Sequence, residues 1–227
     1  MRGVRRSFTF VVTVLLSGLC GAPLTHAQAD FFSRVVGRFS VGEPYALDEF
    51  ARRGETQCLP ASALVVHRGG AVRWSGAVRV HPEFRVRVER FETLVNELAL
   101  RHYGRAPRRI LHAGSYVCRS VRGNAGRMSE HGLGNAVDVR GFAFGPLPRG
   151  ATPPPELPRA LRRSFDVTLL QHWSSTRGHA PLHDAFLREL IDRVARDDIF
   201  RVIYGPAHPG HRDHLHFDMS PFRWVHV

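Results

Sequence analysis

The sequence predicts a single α+β domain, with a small antiparallel central sheet and flanking helices. Three observations carry that expectation. The length of 227 residues suits one sizeable core and is cramped for two. Two long stretches repeat apolar residues at helical spacing, and several short runs have the alternation or β-branched content of strands. With 43% apolar and 23% charged residues the chain has an ordinary globular composition, which excludes a wholly disordered, collagen-like or polytopic membrane protein.

The chain opens on a processing segment. Met1 to Arg6 carries three arginines, Phe8 to Ala22 is apolar, and Leu24-Thr25-His26-Ala27 offers a small residue for cleavage. Residues 1–27 are expected to be an export signal cut after Ala27, with an uncleaved anchor as the alternative that the apolar run, shorter than the roughly 20 residues a spanning helix needs, disfavours. Bulky Leu19 before Cys20 argues against lipid attachment. The mature chain is expected in the periplasm or cell envelope, with no transmembrane segment after cleavage. Residues 28–54 stay unassigned, and the domain is read as 55–227.

Ala63 to His67 and Ala71 to Trp74 flank Arg68-Gly69-Gly70 and read as a hairpin. Phe84, Val88, Phe91, Val95 and Leu98 then recur at helical spacing, and Gly104 supplies a stop, which predicts a helix over about 84–103. Arg109 to Tyr116 reads as a strand, Arg119 to Gly134 as a loop, and Ala136 to Phe144 as a second strand. Six prolines between Pro146 and Pro158 exclude regular structure there. Val167 to Trp173 reads as a strand. Phe186, Leu187, Leu190, Ile191 and Val194 predict a second amphipathic helix, with Asp184 as its cap. Phe200 to Tyr204 and His214 to Met219 close the chain as strands. There is no internal repeat.

The formal net charge is +12, and all 32 basic residues are arginine. With no lysine in the chain, a catalytic lysine, a Schiff base and a P-loop lysine are excluded. The arginines are scattered, and no run interleaves with aromatics as a base-stacking surface requires, so a nucleic-acid partner is not expected. Acidic cell-wall polymers would feel the same field. Outside residues 1–27 only Cys58 and Cys118 remain. In an exported protein they are expected to pair, with two separately buried thiols as the alternative, and neither has the neighbour that a thiolate zinc site needs.

Two clusters carry chemistry. In His211-Arg212-Asp213-His214-Leu215-His216-Phe217-Asp218, strand alternation puts His214, His216 and Asp218 on one face and turns Leu215, Phe217 and Met219 inward, with Asp213 facing away from His214. In Ser129-Glu130-His131-Gly132-Leu133-Gly134-Asn135-Ala136-Val137-Asp138, the two glycines break any helix, so the chain can turn after His131 and bring Asp138 back beside it. One imidazole, one carboxylate and a further imidazole from the last strand are three ligands of the kind zinc prefers, with a fourth position left for water. The bland alternative makes His131 a loop cap, Asp138 the partner of an arginine, and the last strand an ordinary edge.

Ser129-Glu130-His131-x-x-Gly134-x-Ala136-x-Asp138 followed by His214-x-His216 resembles the zinc D-alanyl-D-alanine carboxypeptidases and related D,D- and L,D-peptidases of the hedgehog-like fold. Ser115-Tyr116-Val117-Cys118-Arg119, Phe186-Leu187-Arg188, Gly205-Pro206 and His211 to Asp218 most resemble the bacterial extensin-like C-terminal domain. The resemblance covers about residues 55–220. It implies His131, Asp138 and His216 as ligands of a Zn2+ ion, His214 as general base or transition-state stabiliser, and His211 one step further out. It also implies Arg119 as the residue that holds a substrate carbonyl or carboxylate, and Ser129 as an orienting residue of the loop. Two features depart from the family pattern: Arg196 to Phe200 lacks a further cysteine common in such domains, and the proline-rich segment 146–158 is long.

The activity this implies is that of an exported zinc metallopeptidase cutting peptidoglycan stem peptides or cross-links, with Glu130 and Asp213 as rival bases to His214. A non-catalytic wall-binding module that keeps the fold and the metal is the competing reading.

Overall fold

The structure, a computed structural model, describes residues 57–227. The expected export signal, Cys20, the unassigned segment 28–54 and residues 55 and 56 lie outside the described residues.

Strands β1 (Val65–Gly69) and β2 (Arg73–Val80) form the expected hairpin. His81 then starts helix α1 (Pro82–Tyr103) by accepting the Glu83 amide with its ring, Pro82 fits the first turn, and Gly104 closes the helix in a left-handed conformation at φ 68°. The stripe of Phe84, Val88, Phe91, Val95 and Leu98 is entirely buried. Strand β3 (Arg109–Gly114) follows. The stretch expected to be a loop instead holds β4 (Ser120–Val121), β5 (Asn124–Met128) and a 3-10 turn at Glu130–Leu133. Among the described residues these two strands pair with each other alone, and they are mostly exposed, so no apolar alternation announces them.

Strand β6 (Ala136–Phe144) has the expected bounds. The proline run contains no helix or strand, and a 3-10 turn (Arg159–Arg162) follows it. The strand expected at 167–173 is corrected to β7 (Phe165–Thr168), after which Leu169–His172 form one helical turn, α2. The cause is local: the Thr168 amide donates to His172 Nδ1 at 2.9 Å and bends the chain. Helix α3 (Ala180–Arg196) begins earlier than expected, with His179 at its N-cap and Pro181 in its first turn. Asp184 is therefore not the cap; it lies within the helix, accepting the Ser174 amide and pairing with Arg188. Strands β8 (Val202–Tyr204), β9 (Leu215–Asp218) and β10 (Trp224–His226) complete the fold.

The sheet is larger than expected, with eight strands, and it is mixed. Its order is β1-β2-β3-β6-β9-β8-β10, and β7 also pairs with β6. The β2–β3 and β8–β10 pairs are parallel, the first because α1 carries the chain back between its strands. One edge of β6 meets β3; the other is shared by β9, along 136–139, and β7, along 141–144. Phe91 of α1 packs on Phe217 and Phe200, and Phe186 of α3 packs on Phe142. Both helices thus cover the face that carries Phe217, and strand alternation leaves His216 on the other face.

Two buried polar devices fasten the scaffold. Glu92, fully buried on α1, accepts from His67 Nε2, Trp74 Nε1 and the Gly70 amide, tying the first hairpin to the helix. Arg105, also buried, donates to the carbonyls of Tyr103, Gly145, Leu161 and Arg163. It thereby anchors both ends of the proline-rich excursion.

His183 on α3 is buried against the Tyr103 hydroxyl at 3.0 Å. Burial, with His172 and His179 nearby, lowers its pKa from 6.5 to about 4. Between those values the unfolded chain binds a proton that the folded chain refuses, so stability is lost as pH falls from 6.5 towards 4. The melting temperature of His183→Gln, which keeps an acceptor for Tyr103, should fall less than that of the parent across this window. Parallel curves for the two proteins would refute the assignment.

Candidate metal centre

The two clusters meet across the β6–β9 ladder. Asp138 and His216 are directly opposed in the antiparallel register, and the buried Val137, Val139, Leu215 and Phe217 fix that register from the other face. His131 arrives from the 3-10 turn. Gly134 ends that turn at φ 63°, and a Cβ there would lie 2.5 Å from Leu64 Cδ2 and 2.8 Å from the His81 nitrogen, so only glycine lets the chain turn back into β6.

His131 Nε2, Asp138 Oδ1 and His216 Nδ1 form a tight triangle. The edges are 3.1 Å between the two nitrogens, 2.9 Å from His216 to Asp138 and 3.3 Å from His131 to Asp138. Bonds of about 2.0–2.1 Å around a tetrahedral zinc leave ligand atoms about 3.3 Å apart, close to these edges. His131 and His216 are buried and Asp138 is half-buried.

The far sides of both rings settle which atoms face inward. His131 Nδ1–H donates to the Ser115 carbonyl, and His216 Nε2–H donates to Asp218 Oδ2 at 2.8 Å. The inward nitrogens are then lone pairs, and Asp138 adds a third acceptor. Three acceptors cannot sit this close without a positive centre between them. In the metal-free chain a proton on His216 serves. Burial opposes that charge, but the hydrogen bonds and charges of Asp138 and Asp218 outweigh it and lift the His216 pKa to about 9. Burial would likewise raise Asp138, yet the imidazoles beside it, with protonated His216 donating to Oδ1, hold its carboxyl well below the usual range. Two imidazoles and one carboxylate, each ring braced from behind by an acceptor, form a donor set that fits a divalent transition metal.

Asp218 is the brace that sequence reading left without a role. It also accepts the Ser220 amide, and it lies beside Glu130. Glu130 is buried and accepts from the Asn135 side chain; burial first, then Asp218, push its pKa up to about 7. It belongs to the support behind His216. Asp213 does not face away from His214, as strand alternation led us to expect. Strand β9 starts only at Leu215, so alternation does not reach residues 213 and 214, and His214 Nδ1 donates to Asp213 Oδ1 at 2.8 Å. His214 Nε2 lies 4.0 Å from Asp138 Oδ1.

His211 stands one ring further out, 4.9 Å from His214 and 5.7 Å from His216 between centroids. Ser129 is buried at the start of the 3-10 turn, where its carbonyl accepts the Gly132 amide and its own amide donates to the Arg119 carbonyl. Arg119 meets the ligand turn through that backbone bond; its residue is exposed, next to the disulfide that joins Cys58 and Cys118. The chain on both sides of that disulfide reaches the ligand turn, because Leu59 N–H donates to the Gly132 carbonyl and Val117 N–H to the His131 carbonyl.

Residues 42–146 match the family model described as Extensin-like protein C-terminus. That span contains His131 and Asp138, and it ends before His211, His214 and His216. No curated protein and no solved structure matches the chain. Among the described residues no helix is long and apolar enough to cross a membrane.

Proposed function

We propose that this chain is an exported zinc-dependent peptidase that hydrolyses peptide bonds in peptidoglycan stem peptides or cross-links. One observation carries the reading: His131, Asp138 and His216, from distant parts of the sequence, bring three ligand atoms within 3.3 Å of one another, with His214 Nε2 4.0 Å from Asp138 Oδ1. The relation to zinc D-alanyl-D-alanine carboxypeptidases, and the hedgehog-like arrangement that goes with it, belong to the same proposal and rest on the motifs.

His131, Asp138 and His216 would hold the ion. The chemistry a zinc ion would supply there is Lewis acidity, making hydroxide available near neutral pH and polarising a peptide carbonyl. Asp213 orients His214 and keeps a proton on its Nδ1, which leaves Nε2 as the acceptor directed to the reaction site. From that position His214 takes the nucleophile's proton and returns it to the leaving amine. Arg119, on the exposed rim, supplies a guanidinium fork for a substrate carboxylate, the end group of a stem peptide. The chain's net charge of +12, of which Arg2, Arg5 and Arg6 belong to the expected export signal, leaves the exported part strongly basic and draws an acidic wall polymer to it.

Zinc-loaded protein incubated with whole peptidoglycan should release D-alanine or cleave cross-links, detected by mass spectrometry. His214→Ala should lower the rate by about 10^2 to 10^4, the usual contribution of a positioned proton carrier, while zinc stays bound. Absence of product from the loaded parent would favour the wall-binding module.

A further inference from the structure

Beside the triangle lies a second meeting of imidazoles that the peptidase reading does not use. The Gly205–His208 turn folds the chain back over β8, with the His208 amide donating to the Gly205 carbonyl at 2.8 Å. On the neighbouring strand β10, His226 is in register with Tyr204, and its carbonyl accepts the Gly205 amide at 2.9 Å. These two backbone anchors bring His208 Nδ1 and His226 Nδ1 to 3.1 Å. The rings are held as well as placed: His208 stacks on Tyr204 at 3.9 Å between centroids, and its other neighbour, His211, lies at 4.9 Å.

We propose that His208 and His226 form a second transition-metal site, a bis-imidazole clamp separate from the His131–Asp138–His216 centre. Two nitrogens on adjacent vertices of a coordination sphere with bonds of about 2.0–2.1 Å lie about 2.9 Å apart at a right angle and about 3.3 Å apart at the tetrahedral angle. The observed separation falls between those limits. Imidazole suits zinc, copper and nickel, and both residues are half-buried, so water can complete the sphere. Backbone bonds place both residues and stacking on Tyr204 holds the His208 ring before the ion arrives, which lowers the ordering cost that two free surface histidines would meet. With two protein ligands instead of three, and no carboxylate among them, the clamp binds zinc more weakly than the triangle.

The test is a zinc titration of the full chain by equilibrium dialysis, with long-range proton–nitrogen spectra of the histidine rings recorded along it. Two binding steps are expected. The second should move the Nδ1 resonances of His208 and His226, and its affinity should drop at least about tenfold in His208→Ala and in His226→Ala. Asp138→Ala should remove the first step and leave the second. A lone step that moves the His208 and His226 resonances and ignores Asp138→Ala would support the clamp while overturning the zinc centre of the proposed peptidase. Retention of all zinc affinity in both histidine variants, or ring resonances that stay fixed throughout, would show an ordinary imidazole–imidazole hydrogen bond and overturn the clamp.

Discussion

On the proposed zinc binding, Asp138→Asn should lower zinc affinity by more than the roughly 10- to 100-fold that follows removal of an outer-shell partner. The change keeps the size of the side chain and its place opposite His216, and removes only the negative charge. Without that charge the two inward nitrogens face an amide that repels or donates, and the proposed peptide hydrolysis should fall with metal occupancy. The pH dependence of the parent follows from the same geometry. His216 carries a proton up to about pH 9 in the metal-free chain, and the ion must displace it. Zinc affinity should therefore rise as pH increases from 7 to 9, with one proton released on binding. The sign reverses for the stability of the metal-free fold. A histidine whose pKa is raised above its unfolded value of 6.5 stabilises fully below that value, and the contribution is lost as pH rises through 9. Calorimetry in buffers of different ionisation enthalpy would count the proton. Unchanged affinity in Asp138→Asn, or zinc binding without proton release at pH 7.5, would remove the triangle as the zinc site.

The parts of this fold that could be read from sequence are those in which one side chain in three or four, or one in two, is apolar. The stripe from Phe84 to Leu98 is buried along its whole length, and Val137 and Val139 turn inward as their alternation with Asp138 requires. The residues of the centre were legible for the same reason, since Asp138 and His216 are the polar members of alternating runs. Their direct opposition was not, because register arises from the pairing of segments about 80 residues apart. Short elements escaped for want of a pattern: β10 has three residues, none fully buried, and among the described residues β4 and β5 pair with each other alone. Local hydrogen bonds overrode propensity where His172 bends the chain after β7 and where Asp213 swings towards His214. Asp218 stood at the right spacing in the sequence. Its role as brace of His216 depends on a ring orientation that spacing does not encode.

The bond between Cys58 and Cys118 closes a sequence separation of 60, and restricting the unfolded chain over such a loop is worth about 4 kcal/mol in the chain-entropy account. Cys58→Ser with Cys118→Ser should therefore lower the melting temperature markedly. The more telling expectation concerns the metal. The segments on either side of the bond hold the ligand turn from two directions: Leu59 donates to the Gly132 carbonyl, Val117 donates to the His131 carbonyl, and the Tyr116 hydroxyl donates to the Leu59 carbonyl at 2.7 Å. Ser115 in the same stretch accepts from His131 Nδ1 and so sets which nitrogen faces the ion. Cutting the link leaves residues 57–60 and 115–118 joined by the Tyr116–Leu59 hydrogen bond without a covalent tie, and His131 is the residue that loses support, while Asp138 and His216 stay fixed by the ladder between β6 and β9. The double variant should thus bind zinc roughly 10- to 100-fold more weakly at a temperature where it is still folded, as for loss of an outer-shell partner. The histidine spectra should show His131 disturbed and His216 unmoved. A double variant that is less stable yet binds zinc as the parent does would show that the β6–β9 ladder and the 3-10 turn hold the triangle without the disulfide.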